Sequence, residues 1–339
     1  MQTKSRWVPL LGAAAVLLLG QGRASAQNVT VGGLVYAQYG YQLADTADQA
    51  NAFDVKRAYL DVRGKFDGGI STRITSDIHR DPSGSLNLRL KYAYVTWTPE
   101  NSPITLKFGQ IHTPWLDWEE HLWEYRMQGT MPLERAGYIT SADLGAGLDG
   151  AWADQKVNVQ VVAINGEGYH GAEGDRHKDV AARGSLRLLS TDDGSSVGGL
   201  RLTGMAHVGR TVGGGTRDRF VGMLSYKSSL VTLAGQAGRV VNSPTSADPD
   251  VKANVMSVYG VLNPRDSRLA LVGRVDVWDP DTDQAEDRST RFIAGVSYQL
   301  SPNVLILVDL DHVSYQGSPP TASAAAQRSN LLFQTQFTF

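Results

Sequence analysis

The chain has no cysteine among its 339 residues. No disulfide framework and no thiolate metal site can be built from it. Helical periodicity is nearly absent, and no apolar run is long enough for a membrane-crossing helix. The longest, "LLGAAAVLLLG", is short and lies close to the N-terminus. Charge of one sign is lacking too: 32 Lys and Arg stand against 34 Asp and Glu. What the chain does have is glycine, tyrosine and short alternating segments divided by turn residues.

The first residues read as a secretory signal. Lys4 and Arg6 make a charged start, the apolar run follows, and "ASA" at 24–26 fits the small-residue cleavage rule. Residues 1–26 are expected to be removed, leaving 27–339 as the mature protein. The loss takes Lys4, Arg6 and Arg23 and no acid, so the mature charge is 29 − 34 = −5. An exported chain with that balance is not a nucleic-acid binder.

From Val29 onward sixteen strand-like segments can be read. In "LNLRLKYAYVTWT", Leu86, Leu88, Leu90, Tyr92 and Tyr94 fall on one face, and Asn87, Arg89 and Lys91 on the other. In "AFDVKRAYLDVRGKF", Ala58, Leu60, Val62 and Phe66 oppose Arg57, Tyr59, Asp61, Arg63 and Lys65. The last segment, "LLFQTQFTF", puts Leu331, Phe333, Phe337 and Phe339 opposite Gln334 and Gln336. A secreted soluble sandwich alternates as well, but it buries its greasy face. Export, tyrosines near strand ends and Arg–Asp pairs along the polar faces favour greasy side out, charged side in. The expected fold is an all-β transmembrane antiparallel barrel of about sixteen strands. Short connections such as "DGG", "PENS" and "ADQ" alternate with longer ones, and an even count closes the sheet so that no edge meets lipid. Sixteen strands leave an aqueous channel.

Residues 112–142 form the third long connection and the longest in the chain. A loop of that length implies function. Trp115, Trp118 and Trp123 are costly to leave in water, so the loop is expected to fold into the lumen and narrow it. The competing reading is an outer loop packed on neighbours or on lipopolysaccharide.

"FDVKRAYLDVRGKFDGGISTRI", "KYAYVTWTP", "ITLKFGQIHTPW" and "LERAGYITSADLGAGLDG" together resemble the phosphate-selective porin O/P family of outer-membrane porins. The motifs cover residues 53–150; beyond them only strand rhythm and the terminal Phe agree. The resemblance implies a homotrimer of sixteen-stranded channels in the bacterial outer membrane, with the third loop in the pore and arginines and lysines selecting small anions.

The residues offer such a lining: Arg57, Arg63, Lys65, Arg73, Arg89, Lys91 and Lys107 on polar faces against Asp61 and Asp77, with Arg183, Arg187 and Arg201 further on. Like charges along a wall raise the local anion concentration, and arginine binds phosphate or carboxylate as a planar fork. The same residues could instead pair with acids and brace the wall. The third loop departs from a phosphate filter. It carries Asp117, Glu119, Glu120, Glu124 and Glu134 against Arg126 and Arg135. If Glu119 and Glu120 point into the pore, they oppose the basic wall and set up a transverse field. The expected function is a passive channel for small hydrophilic solutes with anions favoured. The alternative is an adhesin or structural barrel without an open channel. Expected partners are membrane lipid, lipopolysaccharide, small solutes and sister subunits.

Other constellations are weaker. Asp279, Asp281 and Asp283 mimic the start of a calcium loop, but Gln284 stands where Gly belongs and Thr290 where Glu belongs. His170 and His177, near Glu173 and Asp175, match no metal spacing. "GGG" at 213–215 precedes no helix and reads as a turn. No G-x-S-x-G elbow is present, and His79, His112 and His207 have no aligned nucleophile. Neither a cofactor nor an enzymatic activity is expected.

Overall fold

The computed structural model describes residues 28–339 apart from positions 82 and 173, and the expected signal segment 1–26 lies outside the described residues. Sixteen strands make one closed antiparallel barrel. They are β1 Asn28–Gln42, β2 Asn51–Lys65, β3 Ile70–Arg80, β4 Leu86–Trp97, β5 Ile104–His112, β6 Ala142–Trp152, β7 Val157–Ile164 and β8 Asp179–Leu189. The circuit continues with β9 Gly199–Val208, β10 Arg217–Lys227, β11 Val231–Asn242, β12 Val251–Leu262, β13 Leu269–Asp279, β14 Ser289–Ser301, β15 Val304–Tyr315 and β16 Ser329–Thr338. Each strand pairs with its sequence neighbours, and β16 closes on β1, with Leu34 opposite Thr338 and Gln42 opposite Asn330. Beyond that register, the Phe339 carbonyl accepts from the Gly33 N–H at 3.0 Å.

The two faces of the wall follow from alternation. Along β9, Leu202 is 56% exposed while its neighbours Arg201 and Thr203 are 0% and 1%. Along β10, Leu224 is exposed and Ser225 is buried. Apolar side chains that point outward and polar ones that point inward are the arrangement a lipid-embedded barrel requires, because lipid accepts no unpaired polar group. The terminal strand obeys the same rule. Leu331, Phe333 and Phe337 are exposed and Gln334 is 1% exposed.

Two β-bulges interrupt the first strands, and one of them alters the faces expected for β4. Between β3 and β4, Thr75 lies opposite Tyr92 and Ser76 opposite Leu90, so Lys91 is the extra residue. Between β1 and β2, Tyr36 pairs with Arg57 and Ala37 with Val55, which leaves Lys56 extra. A bulge adds one residue on one strand and reverses the faces beyond it. Strict alternation would put Tyr92 and Tyr94 outside with Leu88 and Leu90. The Lys91 bulge turns both inward instead. Tyr92 is 6% exposed, Tyr92 stacks on His112 at 3.9 Å, and Tyr94 meets the same ring edge-on. Lys91 stays inside as well, 2% exposed.

Opposite Tyr94 sits Gly109, with φ +122°, and a Cβ there would meet the Ala93 carbonyl oxygen at 2.3 Å. Both the backbone angle and the close approach require glycine. Gly109→Ala is expected to lower the thermal unfolding temperature of the folded barrel, read from its heat-modifiable gel mobility. An unchanged midpoint would show that β5 relaxes freely at this point.

Candidate functional site: a lumen divided by the third loop

Residues 113–141 connect β5 to β6 and are anchored to the inner face of the wall. Arg183 on β8 donates to the Pro114 carbonyl at 3.0 Å, and Arg219 on β10 donates to the Tyr138 carbonyl at 2.8 Å. Arg274 on β13 reaches the Thr130 carbonyl, the Tyr125 hydroxyl meets Ser297 on β14 at 2.7 Å, and Gln334 on β16 donates to the Met127 carbonyl at 2.9 Å. These partners are the inward-facing residues of strands well around the circuit, so the segment runs inside the barrel.

The inner face of β9–β15 is not uniformly polar where the loop lies. Met223, Val255, Tyr259, Val261, Val272 and Leu307 are buried there and share one core with Trp115, Leu116, Trp118, Leu122, Trp123, Met131 and Leu133 from the loop. Trp115 and Trp123 are 1% and 0% exposed. Burying about 200 Å² of indole at roughly 25 cal/mol per Å² contributes about 5 kcal/mol as an upper figure, enough to hold a long loop in order. Arg183 stacks over Trp118 at 4.1 Å from the ring centroid. A short apolar run such as "VMSVYGVL" on β12 carried this signal in the sequence, since both of its faces are apolar.

The loop contains α1, Pro114–Trp123. Proline at its first position has a φ suited to helix, and Asp117 in the first turn favours the helix dipole. The helix ends at Glu124, whose backbone is left-handed at φ 60°. Helical spacing sorts the loop acids. Asp117, Glu120, His121 and Glu124, at i, i+3, i+4 and i+7, form one stripe. Trp115, Trp118, Glu119 and Leu122 lie buried on the opposite side.

Glu119 therefore does not point into the pore beside Glu120, because consecutive helical residues are about 100° apart. It is 0% exposed and accepts from Gln236 Nε2 on β11 at 2.5 Å. Its second oxygen Oε2 and Gln236 Oε1 are both buried without a partner. One proton on Glu119 satisfies both atoms as a paired acid–amide contact. Burial pushes the Glu119 carboxyl up to about 8, against the opposing pull of Arg274. Glu120 behaves oppositely. Burial raises it, but Arg126, Lys91 and Arg57 outweigh that and hold it below the ordinary carboxylate value. Asp117 is likewise held low against burial, by His112, His121, Lys107 and Arg183.

Between α1 and the β1–β5 wall lies a cavity of about 620 Å³. Arg63, Arg73, Lys91 and Asp61 line it from the wall, and Asp117, Glu120, Glu124 and Arg126 from the loop. Arg63 and Arg73 both donate to Asp61, at 2.6 and 2.7 Å, and Arg73 also donates to His112 Nε2 at 3.0 Å. Lys91 donates to the Tyr59 hydroxyl at 2.7 Å and Arg57 to the same oxygen at 2.5 Å. Glu120 holds Arg126 at 2.6 Å and Glu124 holds Lys227 at 2.8 Å.

The remaining candidates lie elsewhere. Arg57 is held by the Tyr59 hydroxyl. Lys65 is exposed at the end of β2, and Lys107 pairs with Asp149. Arg89 pairs with Asp77 at 2.9 Å and stacks on Tyr169 at 4.6 Å. Glu134 holds the far side of Arg126 at 2.7 Å, and Arg135 holds Asp276 at 3.2 Å. Arg183, Arg187 and Arg201 do not extend the open basic lining. Arg183 is under the loop, Arg187 bonds Asp154, and Arg201 is 0% exposed and donates to the Gly198 and Gln155 carbonyls. The loop occupies that half of the lumen, and inward-facing cations there are spent on holding it. Asp279, the first acid of the calcium-like run, accepts from Arg288 at 3.0 Å.

A lipid-facing wall around a lumen lined with charge is that of an outer-membrane porin, a channel of the bacterial outer membrane. Residues 29–185 match the family described as phosphate-selective porin O and P. No curated protein matches the sequence. The fold is shared with solved porins of low identity. An anion-selective porin from Comamonas acidovorans is 11% identical with a TM-score of 0.63, over 92% of this chain and 99% of its own. The outer membrane channel DcaP of Acinetobacter baumannii is 14% identical with a TM-score of 0.65, over 92% and 97%. A loop-deletion mutant of OmpT, an outer membrane protein of Vibrio cholerae, is 11% identical with a TM-score of 0.64, over 93% and 100%.

Proposed function

We propose that this porin passively conducts small hydrophilic solutes, that it prefers anions mildly, and that it works as a homotrimer in which the third loop sets the size limit. One observation carries the preference: Arg57 and Lys91 converge on one tyrosine hydroxyl, and neither has a carboxylate partner within ion-pair distance among the described residues. Unpaired cations on a channel wall attract anions and repel cations. The preference is mild because the acids of α1 face the same space. A Vibrio cholerae relative of the same fold is described in a trimer form, which supports the oligomer. The channel has no enzymatic role in this reading.

The test is the reversal potential of the purified protein in a planar bilayer under a KCl gradient. A chloride-preferring reversal is expected, with little block by added phosphate. A potassium-preferring reversal would mean that the α1 acids override the wall, and no conductance would favour a closed structural barrel. In the same recordings, Asp117→Asn with Glu120→Gln should strengthen the chloride preference, since it removes the opposing charges and leaves the wall intact.

A further inference from the structure

We propose that the cavity between α1 and the β1–β5 wall is a binding station for small zwitterions, solutes that carry a carboxylate and an ammonium group a few atoms apart. The proposal rests on the channel reading above. On the wall side the lining side chains are Arg63, Arg73 and Lys91 against Asp61, which gives 3 − 1 = +2. On the loop side they are Arg126 against Asp117, Glu120 and Glu124, which gives 1 − 3 = −2. With histidines counted neutral and the main-chain terminus left out, the lining side chains sum to zero, yet their charge is segregated across the gap, although Lys227 beside the helix pairs with Glu124 at 2.8 Å. The terminal residue Phe339 also borders the cavity, and its carbonyl oxygen is held by the Gly33 N–H.

Segregation without net charge has a specific consequence. A simple anion is attracted by the wall and repelled by the helix, so the two contributions offset each other. A zwitterion lying across the gap is attracted at both ends. The groups needed are available. The Arg63 side chain is 56% exposed and bonds Asp61 through Nε, while Lys91, 2% exposed and bonded to Tyr59, adds its charge from within the wall. Asp117 is 40% exposed, and its nearest ion-pair partner is the His112 ring at 3.7 Å. Tyr36 and Tyr92 also line the cavity and offer flat apolar surface to the carbon body between the two charged ends. A volume of about 620 Å³ holds such a solute together with hydration water.

The experiment compares L-alanine with lactamide, a neutral molecule of nearly the same size, by swelling of proteoliposomes containing the full mature chain. Alanine is expected to enter about threefold faster than lactamide, as charge alignment across the gap lowers its barrier. Lys91→Gln and the pair Asp117→Asn with Glu120→Gln should each bring that ratio toward one. Heat-modifiable mobility confirms that each variant is folded. Equal rates for alanine and lactamide through a barrel that still conducts KCl would overturn the proposal and leave the channel reading standing. An alanine preference that survives both sets of substitutions would also overturn it, by placing the selection elsewhere in the lumen. Absence of KCl conductance would overturn the channel reading, and the proposal with it.

Discussion

Glu119→Gln is expected to raise the stability of the folded barrel above neutrality and to leave it unchanged in acid. Burial holds the folded Glu119 carboxyl near 8, whereas its ordinary value is 4.5. Between those values the folded state keeps a proton that the unfolded state has released. Stability therefore falls as pH rises from about 4.5 to about 8, and levels off above that. A separation of that size corresponds to a few kcal/mol. The groups facing Glu119 are Gln236 from β11, Tyr259 from β12, Arg274 and Asp276 from β13, and Glu120 on its own helix. Glutamine keeps the shape and pairs with Gln236 amide to amide, with no proton to lose. The measurement is the thermal unfolding midpoint of wild type and variant at about pH 4 and about pH 9. Wild type should lose several degrees at the higher pH relative to the variant. Parallel profiles would show that Glu119 is ionised in the folded protein and that Glu119 Oε2 and Gln236 Oε1 are met by water.

Removing the unpaired wall cations has the second large effect. Arg57→Gln with Lys91→Gln should move the reversal potential under a KCl gradient toward potassium. Each lost charge contributes about 1 kcal/mol across a wet gap, or about fivefold in the chloride-to-potassium permeability ratio. Lys65→Gln is the matched control. It removes one positive charge, half of what the double variant removes, at the exposed end of β2 and is expected to leave the ratio nearly unchanged. Lys107→Gln should also act weakly, because Lys107 is already paired with Asp149. If every variant shifts the potential in proportion to the charge it removes, selectivity is set by the net charge of the barrel and not by Arg57 and Lys91.

The wall was legible in advance because alternation is local. Leu88 against Arg89, or Phe333 against Gln334, needs only the period of two to be placed on opposite faces. The three tryptophans of residues 112–142 likewise showed that the loop had to be covered. Reading stopped short where local rules branch. Glu119 and Glu120 look alike side by side, and only the helix separates them. The stripe Asp117, Glu120, His121, Glu124 held that information at a period of 3.6, inside a chain otherwise read at a period of two. Tyr92 and Tyr94 were misplaced for a related reason. A bulge at Lys91 is a pairing event between strands, and the sequence of one strand does not display the register of its partner.

The sequence by itself determined the class of the fold, the number of staves, the greasy outer face and the charge types available inside. These depend on side-chain alternation and on the cost of placing polar groups in lipid, and both act residue by residue. The tertiary structure decided which charges meet which. It set Arg183 and Arg274 to holding the loop, left Lys91 and Arg57 without carboxylate partners, and turned Glu119 away from the water and Asp117 toward it. Those outcomes depend on contacts between residues far apart in the chain, such as Glu119 with Gln236 and Tyr125 with Ser297, and such contacts exist only once the barrel has closed around its own loop.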